Sequence, residues 1–207
     1  GLVGADGETH QGIFDLSYLS HMPNMTVMAP KNRYELSRML EFAMEFDGPV
    51  AIRYPRGQAY YGLKNYIQYI DYGKSEVLFE GEEIAVIAVG SMVEKAEQVC
   101  GLLQAQGLNP TLVNARFVKP LDTDLLEQLI KNHKYICTME ENVIEGGFGQ
   151  AAATYLFSKG YSFTWIPFGV EDRFVEQGSC EELFALLGLS QEKIAADILN
   201  RCQDRRA

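Results

Sequence analysis

The residues best suited to chemistry lie in one run near the start of the sequence, residues 4–12, Gly-Ala-Asp-Gly-Glu-Thr-His-Gln-Gly. Glycines let the backbone approach a ligand closely or adopt positive φ angles, while Asp6 and His10 supply a carboxylate and an imidazole. Thr9 is predicted to cap a helix with His10 in its first turn, where free N–H groups favour an anionic or oxygen-rich ligand. A plain glycine-rich turn with a locally satisfied histidine would use the same residues, and spacing alone leaves both interpretations open.

A second candidate is the turn Arg-Tyr-Pro-Arg-Gly at residues 53–57, which follows a predicted strand at residues 50–54. Arg56 at its tip suits bidentate capture of a phosphate or carboxylate, and an ordinary surface arginine is the alternative. Leu2 and Val3 look like the tail of a buried strand that precedes the first run. Ligands gather at the carboxyl ends of parallel strands, so both loops are expected on one rim around an oxygen-rich, partly phosphorylated small molecule.

The third run, residues 140–149, combines three glutamates with three glycines. A phosphate-binding loop is rejected because no Lys-Ser/Thr follows and the glutamates would repel a phosphate. A close-packed strand-to-helix turn is favoured. Glu140 and Glu141 could instead form an acid/base pair, but adjacent residues at a strand end normally point apart.

Composition excludes several classes of function. The 207 residues carry a formal net charge of −10, which argues against nucleic acid and anionic membrane partners, since both need a basic surface. No stretch approaches the 18 apolar residues of a membrane helix. No metal site is predicted, because the three histidines, His10, His21 and His133, lack ligand spacing with cysteine. The opening Gly-Leu-Val is expected to lie inside a domain.

Alternating strands and helices position these loops. A strand at residues 25–29, a helix capped by Asn32 and the strand at residues 50–54 predict a βαβ unit with parallel strands. The apolar face of that helix is predicted at Leu36, Met39, Leu40, Ala43 and Met44.

A second alternation follows a tyrosine-rich stretch. Strands are predicted at residues 75–79, 84–89, 111–114, 135–139 and 163–168, and helices at 93–106, 122–132, 147–159, 180–187 and 191–201. The predicted fold class is α/β: the remainder of a parallel-sheet domain at residues 1–61, a connector at 62–73, and a domain with a mostly parallel five-stranded sheet at 74–207.

The sequence resembles the 1-deoxy-D-xylulose-5-phosphate synthase family of transketolase-like thiamine diphosphate enzymes. The residues 4–12 run, the Arg-Tyr-Pro-Arg-Gly turn, Arg-Phe-Val-Lys-Pro-Leu-Asp at 116–122 and Glu-Glu-Asn at 140–142 carry the resemblance, which covers essentially the whole chain. It implies the last part of a pyrimidine-binding domain followed by a transketolase C-terminal domain.

The resemblance also implies an activity, condensation of pyruvate with D-glyceraldehyde 3-phosphate and release of carbon dioxide, for isoprenoid, thiamine and pyridoxal precursors. Asp6 and His10 match the family residues that contact the hydroxyl and carbonyl oxygens of the acceptor, and Arg56 matches the residue that binds its phosphate. His10 is the catalytic candidate, with a part in proton movement.

The family's motifs for thiamine diphosphate and Mg²⁺ are expected before Gly1, so this chain alone is expected to bind neither and to be inactive. The implied partners are the missing N-terminal part and a second subunit of a homodimer. The implied location is a bacterial cytoplasm, with a plastid left open. The alternatives are a fragment of a transketolase or of a 2-oxo acid dehydrogenase β subunit, and a non-catalytic assembly domain.

Overall fold

The computed structural model describes residues 1–66 and 69–203. Two residues of the predicted connector, 67 and 68, and the last four of the predicted second domain, 204–207, lie outside the described residues. The boundaries at residues 61 and 74 stay a prediction. No helix in the described part of the chain is long and apolar enough to cross a membrane.

The predicted βαβ unit is present. It contains strand β1 (Thr26–Met28), helix α2 (Arg33–Glu45) and strand β2 (Val50–Ile52), preceded by the short helix α1 (Asp15–Ser20). The two strands are parallel, as expected. The Asn32 side chain caps α2 by accepting a hydrogen bond from the Glu35 amide at 2.9 Å.

The outer face of α2 is more exposed than the sequence pattern predicted. Met39 is fully buried, but the Leu40 and Met44 residues are 51% and 80% exposed. Strand β2 lies at an edge of its sheet. The α2 helix therefore presents two apolar side chains to solvent.

The second alternation forms the expected five-stranded sheet, in the order β3-β5-β4-β7-β8. All neighbouring strands are parallel except β3 and β5. The elements after β2 are β3 (Glu76–Phe79), β4 (Glu83–Ala88), α3 (Met92–Ala105), β5 (Thr111–Asn114), β6 (Phe117–Lys119), α4 (Thr123–Asn132), β7 (His133–Val143), α5 (Phe148–Ser158), β8 (Thr164–Val170), α6 (Cys180–Leu186) and α7 (Gln191–Gln203).

Side chains of β4 alternate between two hydrophobic clusters, one on each face of this sheet. Ile84 and Val86 pack in a cluster with residues of α3, α6 and α7, whereas Ala85 and Ile87 pack with residues of α1, α4 and α5. Helices therefore cover both faces, which is the reason why the sequence of this central strand is apolar at nearly every position.

Strand β6 was not predicted, and it joins the two parts of the chain. It pairs antiparallel with β1, with Val27 opposite Lys119 and Met28 opposite Phe117. The first sheet therefore has the order β2-β1-β6, and its third strand comes from the second alternation.

A buried ionic network also connects the two parts of the chain. Lys31, fully buried before α2, contacts the Glu35 and Glu76 carboxylates at 3.0 and 2.7 Å. Arg116 contacts the same two carboxylates at 2.7 and 3.0 Å, and Asn114 donates hydrogen bonds to both. Two cations thus balance two anions where β3, β5 and α2 meet.

Candidate functional site

The first candidate run forms a closed loop of tight turns and not the start of a helix. The Gly7 amide donates to the Gly4 carbonyl at 3.2 Å, and the His10 amide donates to the Gly7 carbonyl at 3.1 Å. The loop ends are held together by a 2.7 Å hydrogen bond from the Gly12 amide to the Gly1 carbonyl.

Three expectations for residues 2–10 were wrong. Thr9 is no helix cap, His10 lies in a turn, and the first helix begins at Asp15. Residues 2 and 3 form no strand, although Leu2 is buried. Turn hydrogen bonds from the Gly7 and His10 amides, and not helical ones, shape the backbone of this run.

The loop packs against the segment before α6. The Gln177 side chain donates to the Ala5 carbonyl at 3.0 Å, and the Gln11 side chain donates to the Glu176 carbonyl at 3.2 Å. Gly4 has φ +63°, and a Cβ there would lie 2.7 Å from the Gly178 carbonyl oxygen. Glycine is therefore required where the loop contacts the segment before α6.

The structure brings Asp6 and Arg56 together, although residues 2 and 3 do not form the strand on which that expectation rested. The Arg56 guanidinium donates a hydrogen bond through Nη1 to Asp6 Oδ2. Both side chains are accessible, 61% exposed for Arg56 and 40% for Asp6. An exposed pair of this kind contributes at most about 1 kcal/mol, so an anionic ligand can replace the carboxylate at little cost.

His10 lies on the same loop, exposed to solvent. Its Nδ1 atom is 2.8 Å from Thr9 Oγ1, so the neighbouring hydroxyl holds the ring. The contact that orients the His10 ring is therefore with Thr9, its neighbour in sequence.

A cavity of about 470 Å³ is lined by Arg56 and by residues of its turn. Its other walls come from the first turn of α2, from α3 and α6, and from Leu2; Tyr60, Lys95 and Phe184 are among the lining side chains. The Arg56 turn therefore borders a space between the two parts of the chain.

Arg53, the other arginine of the same turn, has a role that the sequence analysis missed. It is buried, and its Nη2 atom donates to the carbonyls of Gly12 and Glu141 at 3.2 and 2.5 Å. Its Nε atom lies 3.4 Å from Asp15 Oδ2. No sequence signal separated the two arginines, because only the tertiary contacts decide which is buried.

Glu140 and Glu141 point in different directions, as neighbouring strand residues should. Glu140 accepts hydrogen bonds from the amides of Phe148 and Gly149, both at 2.8 Å, at the start of α5. A Cβ on Gly147 would lie 2.5 Å from the Glu140 carboxylate, in agreement with the close-packed turn that was predicted. Glu141 contacts the first loop instead: its Oε1 accepts from the Leu2 amide at 2.6 Å.

Burial raises the pKa of Glu140 from 4.5 to about 7, although its two backbone hydrogen bonds and the charge of Arg53 lower it. Because the folded pKa exceeds the unfolded one, the folded state binds more protons between these values. This contribution to stability is therefore complete below about pH 4.5 and is lost as the pH rises to about 7.

We expect the Glu140→Gln variant to reveal this dependence in urea unfolding of the chain. Glutamine does not titrate, so the unfolding free energy of the parent should fall relative to the variant by on the order of 2–3 kcal/mol between pH 4.5 and pH 8. Glutamine also lacks the second acceptor oxygen, which adds a cost that does not vary with pH. A difference that stays constant over this range would contradict the expectation.

Comparison with known proteins identifies the class of these domains. The family "Transketolase, pyrimidine binding domain" matches residues 1–60, and "Transketolase, C-terminal domain" matches residues 73–194, more than half of the chain. A solved structure described as a split gene transketolase, inactive beta4 tetramer, has a TM-score of 0.88 and 29% identity; it covers 95% of this chain and 64% of that one. The chain belongs to the transketolase family.

Curated relatives narrow the resemblance further. The 1-deoxy-D-xylulose-5-phosphate synthases of Lachnoclostridium phytofermentans and Clostridium tetani are 51% and 45% identical to this chain, over 99% and 96% of its residues. The chain spans about a third, 32%, of the length of each. The resemblance drawn from the motifs is thereby confirmed.

Proposed function

We propose that the chain is the acceptor-binding part of a 1-deoxy-D-xylulose-5-phosphate synthase. The whole-length protein would condense pyruvate with D-glyceraldehyde 3-phosphate and release carbon dioxide, for isoprenoid, thiamine and pyridoxal precursors. The observation that carries this proposal is the accessible Arg56 guanidinium beside Asp6. Identity of 45–51% to synthases over nearly the whole chain supports it.

Each residue has a role in this proposal. Arg56 binds the acceptor phosphate, because its guanidinium presents paired donors to phosphate oxygens. Asp6 then exchanges its contact with Arg56 for a hydroxyl of the acceptor. His10, on the same loop, contacts the carbonyl or hydroxyl oxygens and moves a proton to or from them.

Residues 1–66 and 69–203 contain no group of three His, Cys, Asp or Glu residues able to hold a metal ion. The chain also spans only about a third of its synthase relatives, which leaves two thirds of their length to hold thiamine diphosphate and Mg²⁺. We therefore propose that other segments of a cytoplasmic, homodimeric whole-length protein bind this cofactor.

If other segments bind the cofactor, the chain alone should neither bind thiamine diphosphate tightly nor convert the substrates. Isothermal titration of the chain with thiamine diphosphate and Mg²⁺ should show no micromolar binding. The whole-length protein, titrated in the same buffer, is the control and should bind. A micromolar dissociation constant for the chain alone would contradict the prediction.

A product assay of the whole-length protein tests the proposed activity. Pyruvate plus glyceraldehyde 3-phosphate should yield a five-carbon ketose phosphate and one equivalent of carbon dioxide. A transketolase would instead transfer a two-carbon unit between ketose and aldose phosphates without releasing carbon dioxide. Activity in the second assay and none in the first would overturn the proposal, and inactivity in both would favour an assembly role.

A further inference from the structure

We infer that Arg53 and Glu141 are positioning residues that jointly fix the loop of residues 1–12, here named the acceptor loop, against the Arg56 turn. The inference rests on the proposed function, because it assigns a role in acceptor binding to two buried residues outside the predicted site. Neither side chain is offered as a contact of the substrate.

Arg53 belongs to the Arg56 turn and its side chain contacts the acceptor loop. Its backbone follows β2 directly and lies three positions before Arg56. Its guanidinium donates to the carbonyl of Gly12, which ends the acceptor loop, and it lies against Asp15 at the start of α1. A shift of this guanidinium would therefore move the acceptor loop relative to the Arg56 turn.

Glu141 holds the other end of the same loop. Its carboxylate accepts from the Leu2 amide at 2.6 Å and from the Ser91 hydroxyl at 2.5 Å. Its carbonyl accepts from Arg53 Nη2 at 2.5 Å, and its Oε2 atom lies 3.8 Å from Arg53 Nη1. Glu141 lies on β7, so the five-stranded sheet is the support to which the loop is attached.

The Arg53–Glu141 pair, here named the joint, therefore attaches both the acceptor loop and the Arg56 turn. Leu2 and Gly12 are bound to the Arg53–Glu141 pair from opposite ends of the acceptor loop, and Asp6 lies between them. Misplacement of a binding group by about 1 Å can cost on the order of 100-fold in rate. Weakening these bonds is therefore expected to impair acceptor binding although the proposed acceptor contacts, Asp6, His10 and Arg56, are all kept.

The test uses the whole-length protein and steady-state kinetics with each substrate varied in turn. Glu141→Ala leaves the Leu2 amide without its acceptor. Arg53→Lys replaces the guanidinium by a single nitrogen, which cannot occupy the position of Nη2 beside the two carbonyls and that of Nε beside Asp15. Both variants should raise KM for glyceraldehyde 3-phosphate about 10- to 100-fold and change KM for pyruvate less than about twofold. Glu141→Gln keeps an oxygen for Leu2 and should restore most of the acceptor affinity.

Arg116→Lys is the matched control, because it disturbs another buried cation between the two parts of the chain and touches neither loop. It should lower Tm without separating the two KM values. Ser91→Ala, which removes one hydrogen bond to Glu141, is the substitute if another variant fails to fold. It should raise KM for glyceraldehyde 3-phosphate more than KM for pyruvate, by a smaller factor than the other variants.

Equal changes in both KM values, or the same split in Arg116→Lys, would overturn the inference. So would unchanged kinetics in all the joint variants. These outcomes differ from failure of the proposed function, in which the unmodified whole-length protein would form no product from pyruvate and glyceraldehyde 3-phosphate.

Discussion

Replacing Arg56 by alanine in the whole-length protein should raise KM for glyceraldehyde 3-phosphate about 10- to 100-fold and leave KM for pyruvate nearly unchanged. A hydrogen bond to a charged group contributes about 1.5–3 kcal/mol, so this range corresponds to the loss of about one such bond at an exposed site. The Arg56 side chain is 61% exposed and its partner Asp6 is easily displaced, so its donors are available to a phosphate. Pyruvate carries no phosphate, so its KM should not depend on Arg56.

Two matched variants sharpen this prediction. Arg56→Lys keeps the charge but loses the paired donors, so its acceptor KM should lie between those of the parent and of Arg56→Ala. Arg38→Ala removes another accessible arginine, which pairs with Glu41 on α2, and should change neither KM. Equal effects of Arg56→Ala on both substrates would contradict the assigned role.

The second large effect concerns stability. Lys31→Met should lower the unfolding free energy of the chain by about 3–5 kcal/mol, because removing one partner from a buried ionic group leaves an uncompensated charge. Lys31 is fully buried and contacts both Glu35 and Glu76, and without it the single positive charge of Arg116 would face both carboxylates. Urea unfolding followed by circular dichroism measures the change.

Lys193→Met provides the control for this experiment. Lys193 pairs with Asp197 on the exposed side of α7, where an ion pair contributes about 0.5 kcal/mol or less. A loss in Lys31→Met no larger than that in Lys193→Met would show that the buried network does not stabilise the chain. A second substitution, Glu76→Gln, should recover part of the loss, because it removes one of the unbalanced anions.

Local signals predicted most elements of the fold. Asn32 is a side-chain cap as expected, and it accepts a hydrogen bond from the backbone amide three positions on. Asp122, the first residue of the predicted helix at 122–132, caps α4 in the same way. The parallel pairing of β1 with β2 followed from the short connections of the βαβ unit. These features depend on residues close in sequence, so their physics is readable without the tertiary structure.

Features that depend on distant residues were missed or wrongly predicted. β6 has three residues and exists because β1 offers a free edge about 90 positions earlier. Thr9 was predicted to cap a helix, but contacts from Glu176 and Gln177 hold that run as a loop. The burial of Arg53 and the exposure of Arg56, three positions apart in one motif, likewise follow from long-range packing.

The central claim is that this chain binds the phosphate of the acceptor through Arg56. The most direct test compares kcat/KM of the whole-length protein for glyceraldehyde 3-phosphate and for glyceraldehyde, with pyruvate saturating, in the parent and in Arg56→Ala. The parent should prefer the phosphorylated acceptor, and the variant should lose about 10- to 100-fold of that preference while its rate with glyceraldehyde changes little. The same preference in both proteins would contradict the claim.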